Sequence, residues 1–546
     1  MSKQFPNVVP LAGGCLAALL LLLWLVLRND EKSDRPAGAP AATAPKPAPD
    51  PAVATVATQR TLSGRPTFSS LQQVIDQGRA RSHEAVLTFS NAEAYQRFLA
   101  RARQLGLAVI GQLDGLLAVR VRYDSLAGLG ADMLANPDDY ADVSANFYVD
   151  VPTPPAKEDR PAVNLVPLGN NLLAFLGVTS DPSQWGRGIT IAVLDSGVVA
   201  DSTFGTGRVR ALDVGLGIAP GTGSEDGHGT AVAALAAGVA PDAPGVAPAV
   251  NILSIRVTDA NAQSDVFTLS QAILAAVDSG AQIINISLGG YDTNSLLDNA
   301  IGYASEHGVV IVASAGNDQA AQLTWPAADP RVVSVGAVDA LGQQAPFSNS
   351  GPQLQLTAPG YGVQTAWLNG QRVYFDGTSA SAPIVAGAIA ALMSTSPAIT
   401  AMQAAQVLEQ YASDGGAPGL DPDYGNGVLN LGWAMNRDDP TRIDTAISSH
   451  YYDAATGQME FVVQNRSGQA VAGMILNVEA GNTSATYSIP PLAPGGSYVV
   501  KMAIDPNQLA AAGSMVFRTQ LNNPDDIVDQ VPANNRRTSV LTAPAK

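Results

Sequence analysis

The sequence predicts an α/β protein whose central unit is a parallel sheet covered by helices on both faces, with a small α+β module before it and a small all-β sandwich after it. Three observations support this prediction. From about Gly188 onward, strongly apolar strands alternate with helical stretches, as in a parallel sheet buried on both sides. A shorter segment before it mixes strand and helix patterns. After about Asp439 the helix signals vanish and short alternating runs remain.

The central unit is assigned to residues 160–438 and the sandwich to residues 439–546. The predicted strands of the central unit are Ile189–Leu194, Ile252–Val257, Ile283–Leu288, Val309–Ala313 and Val332–Val338. The runs that predict the sandwich are Met459–Val463, Met474–Val478, Tyr498–Met502 and Met515–Thr519.

The α+β module is assigned to residues 81–155. Its first strand, Glu84–Phe89, leads into a helix that begins with Ser90 and Glu93 at capping-box spacing and ends at Gly106. The later elements are strands Leu107–Leu113 and Leu116–Val121, a helix from about Ser125 to Leu134, and a last strand Asn146–Val149. This β-α-β-β-α-β order predicts a ferredoxin-like fold.

The N-terminal segment predicts a membrane anchor over residues 1–30. No charged residue occurs between Gln4 and Leu27, a length that crosses a hydrocarbon layer of about 30 Å. A cleaved signal peptide is the alternative, but the polar stretch Arg28–Pro36 offers no small-residue cleavage site. Residues 31–80, which include the Pro/Ala-rich run Pro36–Thr55, are assigned to a spacer.

Composition limits the partners of this chain. The 546 residues carry 30 Lys and Arg against 47 Asp and Glu, a net charge of −17 that repels nucleic acid. Cys15 is the single cysteine, so neither an intramolecular disulfide nor a cysteine zinc cluster can form.

Two of the candidate functional residues are an acid and a histidine. Asp195 follows the strand Ile189–Leu194, and its carboxylate therefore projects from the carboxyl edge of the sheet, where ligand sites gather. His228 stands in DGHGT, just before an Ala-rich apolar stretch that predicts a buried helix. Considered alone, Asp195 could be a turn residue and His228 could be a helix cap.

The third candidate is Ser379, in GTSASAP, directly ahead of an apolar helix predicted over Ile384–Met393. Pro383 suits a first helical turn, and a serine there lies at the positive end of the helix dipole. Alone, Ser379 could be an N-cap. Together, Asp195, His228 and Ser379 follow one of the chain orders in which the serine-hydrolase triad recurs.

The motifs around these residues resemble those of the subtilisin-like serine proteases, the subtilase family. The resemblance covers about Gly188 to Ala434 and rests on AVLDSG, DGHGT, GVAP, NISLG, SAGN, FSNSG, APG and GTSASAP, in that order. It implies a subtilisin-like sheet and a serine endopeptidase that hydrolyses peptide bonds.

The resemblance also implies the role of each residue. Ser379 would be the nucleophile, His228 the general base and Asp195 its orienting partner. Asn317, in SAGN, would donate to the oxyanion together with the Ser379 backbone N–H. The segments implied to bind an extended peptide by strand addition are Ser287, Leu288, Gly289 and Ala313, Ser314, Ala315, Gly316. Ala380 departs from the Met that many members carry, and its small side chain should leave the nucleophile turn intact.

The remaining implications concern cofactors, partners and location. No cofactor is expected; calcium is left open because members often bind it and no ligand loop is found. The module at 81–155 resembles the family's inhibitory propeptide, with cleavage expected between Val151 and Asn171, although an unrelated accessory domain is the alternative. The sandwich resembles immunoglobulin-like add-on domains, which either dock on the protease or bind substrate or wall material.

We therefore expect a membrane-tethered protease that acts on proteins or peptides, with its catalytic unit on the export side. The Lys and Arg residues that follow the anchor favour the opposite orientation. A non-catalytic binding protein on a protease scaffold and an esterase are the rival hypotheses.

Overall fold

The computed structural model describes residues 68–151, 165–216, 226–481 and 483–543. The predicted anchor at residues 1–30 and the spacer up to residue 67 lie outside the described residues. Within them, one helix is long and apolar enough to cross a membrane, and its most apolar window is 83% buried inside the protein. That helix, Thr378–Thr395, is therefore a core helix.

Residues 68–151 form an α+β module with the predicted element order. Its elements are α1 Phe68–Asp76, β1 Ala80–Phe89, α2 Ala92–Arg101, β2 Leu107–Leu113, β3 Ala118–Tyr123, α3 Ala127–Ala135 and β4 Tyr140–Asp150. Short 3₁₀ helices, Ala102–Leu105 and Asp114–Leu116, follow α2 and β2. The four strands are antiparallel in the order β4-β1-β3-β2.

Two details of the module differ from the sequence prediction. The N-cap of α2 is Asn91, whose side chain accepts a 2.9 Å hydrogen bond from the N–H of Ala94. Ser90 instead donates to the carbonyl of Asp138. Helix α1 lies in the stretch assigned to the spacer, where Leu71 packs into the module's core. The folded module therefore begins before residue 81.

The central unit contains the predicted parallel sheet. Its strands are β5 Thr190–Asp195, β6 Val209–Leu212, β7 Val239–Ala240, β8 Ala243–Pro244, β9 Asn251–Arg256, β10 Gln263–Asp265, β11 Ile283–Ile286, β12 Val310–Ser314, β13 Val333–Val338, β14 Leu356–Pro359, β15 Val363–Ala366 and β16 Arg372–Phe375. Seven of them form the sheet, in the order β14-β13-β12-β11-β5-β9-β6, and every pair is parallel. The pairs β7–β8 and β15–β16 are hairpins.

Helices cover both faces of this sheet. They are α4 Leu172–Phe175, α5 Asp226–Ala237, α6 Val266–Asp278, α7 Ser295–Glu306, α8 Thr378–Thr395, α9 Ala401–Gln410 and α10 Leu431–Asn436. Because side chains alternate along a strand, Ile191 and Val193 of β5 pack with α5 and α8, while Ala192 and Leu194 pack with α6 and α7. Both faces are apolar, as the continuous apolar strands predict.

Helix α8 begins earlier than the apolar run that predicted it. It starts at Thr378 rather than at Ile384, so Pro383 lies inside the helix and not in its first turn. The extra turn consists of small residues, which carry little periodic signal.

The module docks on the central unit along two helix starts and one strand edge. Strand β10 pairs antiparallel with β4 and so extends the module's sheet to five strands. Asn146 accepts a hydrogen bond from the N–H of Phe267 at the start of α6. Asp142 accepts a 2.7 Å hydrogen bond from the hydroxyl of Ser295 at the start of α7, where a negative charge is favourable.

The C-terminal residues form a β-sandwich of a three-stranded and a four-stranded antiparallel sheet. Its elements are β17 Thr445–Asp453, β18 Gln458–Asn465, β19 Ile475–Ala480, β20 Thr483–Ser488, β21 Ser497–Ala503, α11 Pro506–Ala512, β22 Ser514–Asn522 and β23 Arg536–Thr542. Helix α11 corrects the expectation that helices end before Asp439. Asp505 caps it by accepting from the N–H of Asn507.

The sandwich packs against α10 and the loop that precedes it. The hydroxyl of Ser449 donates to the carbonyl of Gly416 at 2.6 Å, and the guanidinium of Arg466 lies over the ring of Trp433, 5.5 Å from its centre. Burial raises the pKa of Asp414 in this loop to about 7, and its Oδ1 has no hydrogen-bond partner. The contact therefore contains a carboxyl group that is costly to ionise.

Replacing Asp414 with Asn should stabilise the protein at alkaline pH. A carboxyl whose pKa is raised on folding contributes stability below its unfolded pKa of about 4 and loses it as pH rises through the folded value, here about 7. We expect Asp414→Asn to gain about 1–3 kcal/mol in urea unfolding at pH 8.5 and to match the parent near pH 4. Exposed Asp438→Asn is the control; equal gains for Asp414→Asn at both pH values would contradict the account.

Candidate active site

Asp195 and His228 form a buried hydrogen-bonded pair at the carboxyl edge of the sheet. Asp195 is the last residue of β5, and His228 lies in the first turn of α5. The Nδ1 atom of His228 is 2.8 Å from Oδ1 and 3.0 Å from Oδ2 of Asp195. The N–H of Ser196 also donates to Oδ1, at 2.7 Å. The carboxylate thus holds the proton on Nδ1 and leaves Nε2 as the basic ring nitrogen.

A glycine lets the two elements approach so closely. A Cβ on Gly229 would lie 2.4 Å from the carbonyl oxygen of Gly197 and 3.1 Å from Oδ1 of Asp195. The N–H of Gly229 donates to the hydroxyl of Ser196. The glycine after the histidine in DGHGT is therefore required by packing.

An aromatic ring packs against the imidazole, and a second ring lies beside the preceding glycine. The ring of Phe375 meets that of His228 edge-on, with centres 5.2 Å apart, and Trp367 lies against Gly227 so closely that no side chain fits there. Both rings belong to the segment that runs through the β15–β16 hairpin, immediately before α8. His228 is only 5% exposed.

Ser379 is the second residue of α8, so its N–H belongs to the first turn, where helices leave N–H groups without internal partners. Its carbonyl would ordinarily accept from residue 383, but Pro383 has no N–H. The hydroxyl of Ser287 donates to that carbonyl instead, at 3.2 Å. Pro383 and Ser287 together fix the turn that carries Ser379.

The hydroxyl of Ser379 donates to the carbonyl of Ser287 over a long 3.4 Å. Among the described residues, no hydrogen bond joins Ser379 to His228. The structure therefore brings Asp195 and His228 together directly, while Ser379 stands at the start of the neighbouring helix with its hydroxyl turned to Ser287.

The amide of Asn317 is oriented by Thr378. Both the N–H and the hydroxyl of Thr378 donate to Oδ1 of Asn317 at 2.9 Å. These two bonds fix the oxygen end of the amide and with it the orientation of the whole amide group. Asn317 is fully buried.

The loop that carries Asn317 is held by Asn349, a residue to which the sequence analysis gave no role. Its Oδ1 accepts from the N–H groups of Asp318 and Ala320, and its Nδ2 donates to Tyr291. Gly316 has a φ of +107°, and a Cβ there would collide with the Asn349 amide. Asn349 stands in the FSNSG motif and Thr378 in the GTSASAP motif. The sequence therefore shows the motifs, but it does not show the contacts that these two residues make.

The predicted peptide-binding segments differ in how open they are. Gly289 exchanges two backbone hydrogen bonds with Asp150, of 2.9 and 3.0 Å, and so already pairs with an extended chain. The carbonyl of Ala315 accepts from Thr324, and that of Ser314 accepts the Thr324 hydroxyl. The side chains of Ser287, Leu288, Ala313, Ser314 and Ala315 are buried.

Strand β10 is a second edge that pairs with an extended segment, and its sequence does not predict it. It pairs with the end of β4 on the side opposite Gly289. Three polar residues give no strand signal, so only the fold shows it.

Metal ions in proteins are held by groups of His, Cys, Asp and Glu side chains. Among the residues that the structure describes, no such group of three or more could hold a metal ion.

Comparisons with known proteins agree with this geometry. The family model of the subtilases matches residues 186–427. The thermostable alkaline protease of Halalkalibacterium halodurans is 33% identical over 252 residues, which cover 46% of this chain and 68% of that protein. Subtilisin Savinase of Lederbergia lenta is 32% identical over 247 residues, 45% of this chain and 90% of the relative. The chain belongs to the subtilase family.

As a subtilase, this chain is a subtilisin-like serine protease, and its substrates are proteins or peptides. The fold likeness reaches beyond the family match. The crystal structure of fervidolysin from Fervidobacterium pennivorans aligns with a TM-score of 0.55 at 21% identity, over 85% of this chain and 77% of that one. This likeness concerns the fold alone.

Replacing Gly229 with Ala should damage the subtilase site by separating α5 from β5. We expect a loss of about 1–3 kcal/mol in urea unfolding, measured in a Ser379→Ala background that prevents self-digestion. Gly302→Ala is the matched control, because a Cβ in the middle of α7 meets only the tip of Arg331. Equal stability of the Gly229→Ala protein and its parent would show that the close approach is not required.

Proposed function

We propose that this subtilase is an endopeptidase in which Ser379 attacks the peptide carbonyl, His228 takes its proton and Asp195 orients His228. The observation that carries the proposal is the buried contact between His228 Nδ1 and Asp195. It fixes the tautomer in which Nε2 accepts a proton, and it stabilises the imidazolium that forms.

On this proposal the nucleophile would reach His228 by a rotation of its side chain. The long bond from the Ser379 hydroxyl to the carbonyl of Ser287 is weak, and turning the Cα–Cβ bond exchanges it for a bond to Nε2. In the reaction, Oγ bonds to the peptide carbon while its proton passes to His228. The imidazolium then gives that proton to the leaving amine, and water repeats the sequence to release the acyl group.

The developing oxyanion would be bound by the Asn317 NH₂ group and the backbone N–H of Ser379. Thr378 supports this role because it engages Oδ1 of Asn317 and so presents the donor end of the amide. The Ser379 N–H is one of the first-turn donors of α8, at the positive end of the helix dipole.

An extended peptide would lie between Gly289 and β10 as the middle strand. The end of β4 supports this placement, because Asp150 pairs with Gly289 on one side and with Gln263 on the other. Main-chain pairing of this kind does not require a free chain end, which favours an endopeptidase over an exopeptidase.

The α+β module would be an inhibitory propeptide. Its last strand holds the edge where a substrate would pair, and its sheet continues into β10 of the protease unit. We place the maturation cleavage between Val151 and Asn171, directly after this docked strand. The sandwich would contribute to stability, since Ser449 and Arg466 bind the protease unit.

The location of the protease is proposed from the sequence. An uncleaved span over Gln4–Leu27 would tether the catalytic unit to a membrane on the export side, where a propeptide is useful. Calcium remains a suggestion of the family resemblance alone, with no ligand set assigned. No observation favours a non-catalytic scaffold, because the acid, base and nucleophile are all present.

A serine-directed fluorophosphonate tests the catalytic assignment. We expect Ser379→Ala to abolish both labelling and peptide hydrolysis. Asn317→Ala should keep its KM but lose about 10²–10³-fold in kcat, the range measured for the corresponding donor in a subtilisin. Asn436→Ala, remote from the site, is the control. Labelling that survives Ser379→Ala would overturn the assignment.

Self-processing tests the role of the module. The active chain should cut itself between Val151 and Asn171 on incubation, while the Ser379→Ala chain stays whole, as read by intact mass. Should active enzyme remain uncut after prolonged incubation, the module would be an accessory domain and not a propeptide.

A further inference from the structure

The residues around the docked end of β4 indicate what the peptide-binding cleft accepts. Tyr148 pairs with Asp265 and Asp150 pairs with Gln263, in antiparallel register. Directly opposed residues in such a pair present their side chains on the same face. A substrate that replaces this strand would therefore place one side chain opposite Asp265 and the next but one opposite Gln263.

Three carboxylates border this strand: Asp259 and Asp265 on the connection from β9 to α6, and Asp292 on the connection from β11 to α7. We call them the acidic rim. Each of these carboxylates forms an ion pair with an arginine of the module. Arg81 bonds to Asp265 at 2.5 Å and to Asp259 at 3.1 Å, and Arg79 forms a two-bonded pair with Asp292. Arg81 also lies over the ring of Tyr148, 5.3 Å from its centre, which puts its charge beside the strand itself.

Arginines of the module supply the positive charges that pair with the acidic rim. The Asp265 side chain is only 1% exposed, and Arg120 of the module lies 3.5 Å away as a second cation. With the module docked, a carboxylate this deeply buried is costly without a cation beside it. When the module leaves, Arg79, Arg81 and Arg120 leave with it.

An acidic side chain is poorly suited to the strand that the rim surrounds. Burial and the charge of Asp259 raise the pKa of Asp150, while Gln263 and Arg81 lower it. The charge of Arg81 therefore favours the ionised form of Asp150, and this arginine would be absent from the mature protease.

The net charge of the protease unit also favours cationic substrates over acidic ones. Residues 165–438 contain 22 Asp and Glu against seven Arg and no Lys. A unit with this excess of negative charge attracts cationic peptides toward its surface, and the rim lies where such a peptide would dock.

We infer that the mature protease selects substrates carrying Lys or Arg on the residues that pair with Asp265 and Gln263, ahead of the cleaved bond. The cationic side chain takes the place that the Arg81 guanidinium holds in the unprocessed chain. This inference rests on the proposed function, because it requires the module to leave and a peptide to replace β4.

A lysine scan tests it on the full chain after self-processing. Each peptide of a series carries one Lys, moved stepwise along the residues before the cleaved bond on an otherwise neutral background. We expect kcat/KM to rise about tenfold at two positions that are two residues apart, since those share the face of the rim. Acetylating the same Lys should remove the gain while keeping the length of the side chain.

Substitutions in the acidic rim test whether its carboxylates cause the lysine preference. Asp265→Asn keeps a side-chain oxygen for the Thr268 N–H that Asp265 now caps, because Asn is as good an N-cap. Asp259→Asn likewise keeps an acceptor for the N–H of Asn261. Both should bring the ratio of kcat/KM for the lysyl and acetyl-lysyl peptides toward one. Asp278→Asn, at the far end of α6, should leave that ratio as in the parent.

The outcomes separate the inference from the function. Cleavage of neutral and lysyl peptides at equal rates at every position, or a lysine preference that survives Asp259→Asn and Asp265→Asn, overturns the inference while the protease assignment stands. Failure to hydrolyse any peptide would overturn the proposed function and, with it, the inference.

Discussion

The site depends on one buried hydrogen bond, between the Nδ1 atom of His228 and the carboxylate of Asp195. A buried carboxylate is stable only when its oxygens have donors, and the Ser196 N–H and the imidazole supply them. The bond requires the first turn of α5 to touch the end of β5, which only a glycine at position 229 permits. Sheet register, helix placement and local sequence therefore converge on the tautomer that makes His228 a base.

On the proposed function the same strand edge serves two partners in turn, because β4 of the module lies between Gly289 and β10, where a peptide would pair. Antiparallel pairing with Gly289 and β10 is independent of side chains, so the docked module and a substrate can use the same backbone groups. What distinguishes them is charge. The module carries its own arginines to the acidic rim, whereas on our inference a substrate supplies the cation in its own side chains.

Most of the fold and the positions of Asp195 and His228 could be predicted from the sequence because their signals are local. Buried parallel strands are continuous apolar runs, and Asp195, His228 and Ser379 each stand in a short motif beside one. The start of α8 was placed too late because Thr378–Ala382 are small residues without helical periodicity. Strand β10 and the rim could not be predicted, since three polar residues acquire their role only when β4 docks. Thr378 and Asn349 act through contacts with distant loops, which spacing alone does not reveal.

The most direct test of the account is the proton on Nδ1 of His228, observed by ¹H NMR in the mature enzyme. The account predicts a resonance far downfield of ordinary imidazole N–H protons, lost in Asp195→Asn together with a fall of about 10⁴-fold in kcat, as for the equivalent change in another serine protease. An Asp195→Asn enzyme that keeps both the resonance and the turnover of the parent would contradict it.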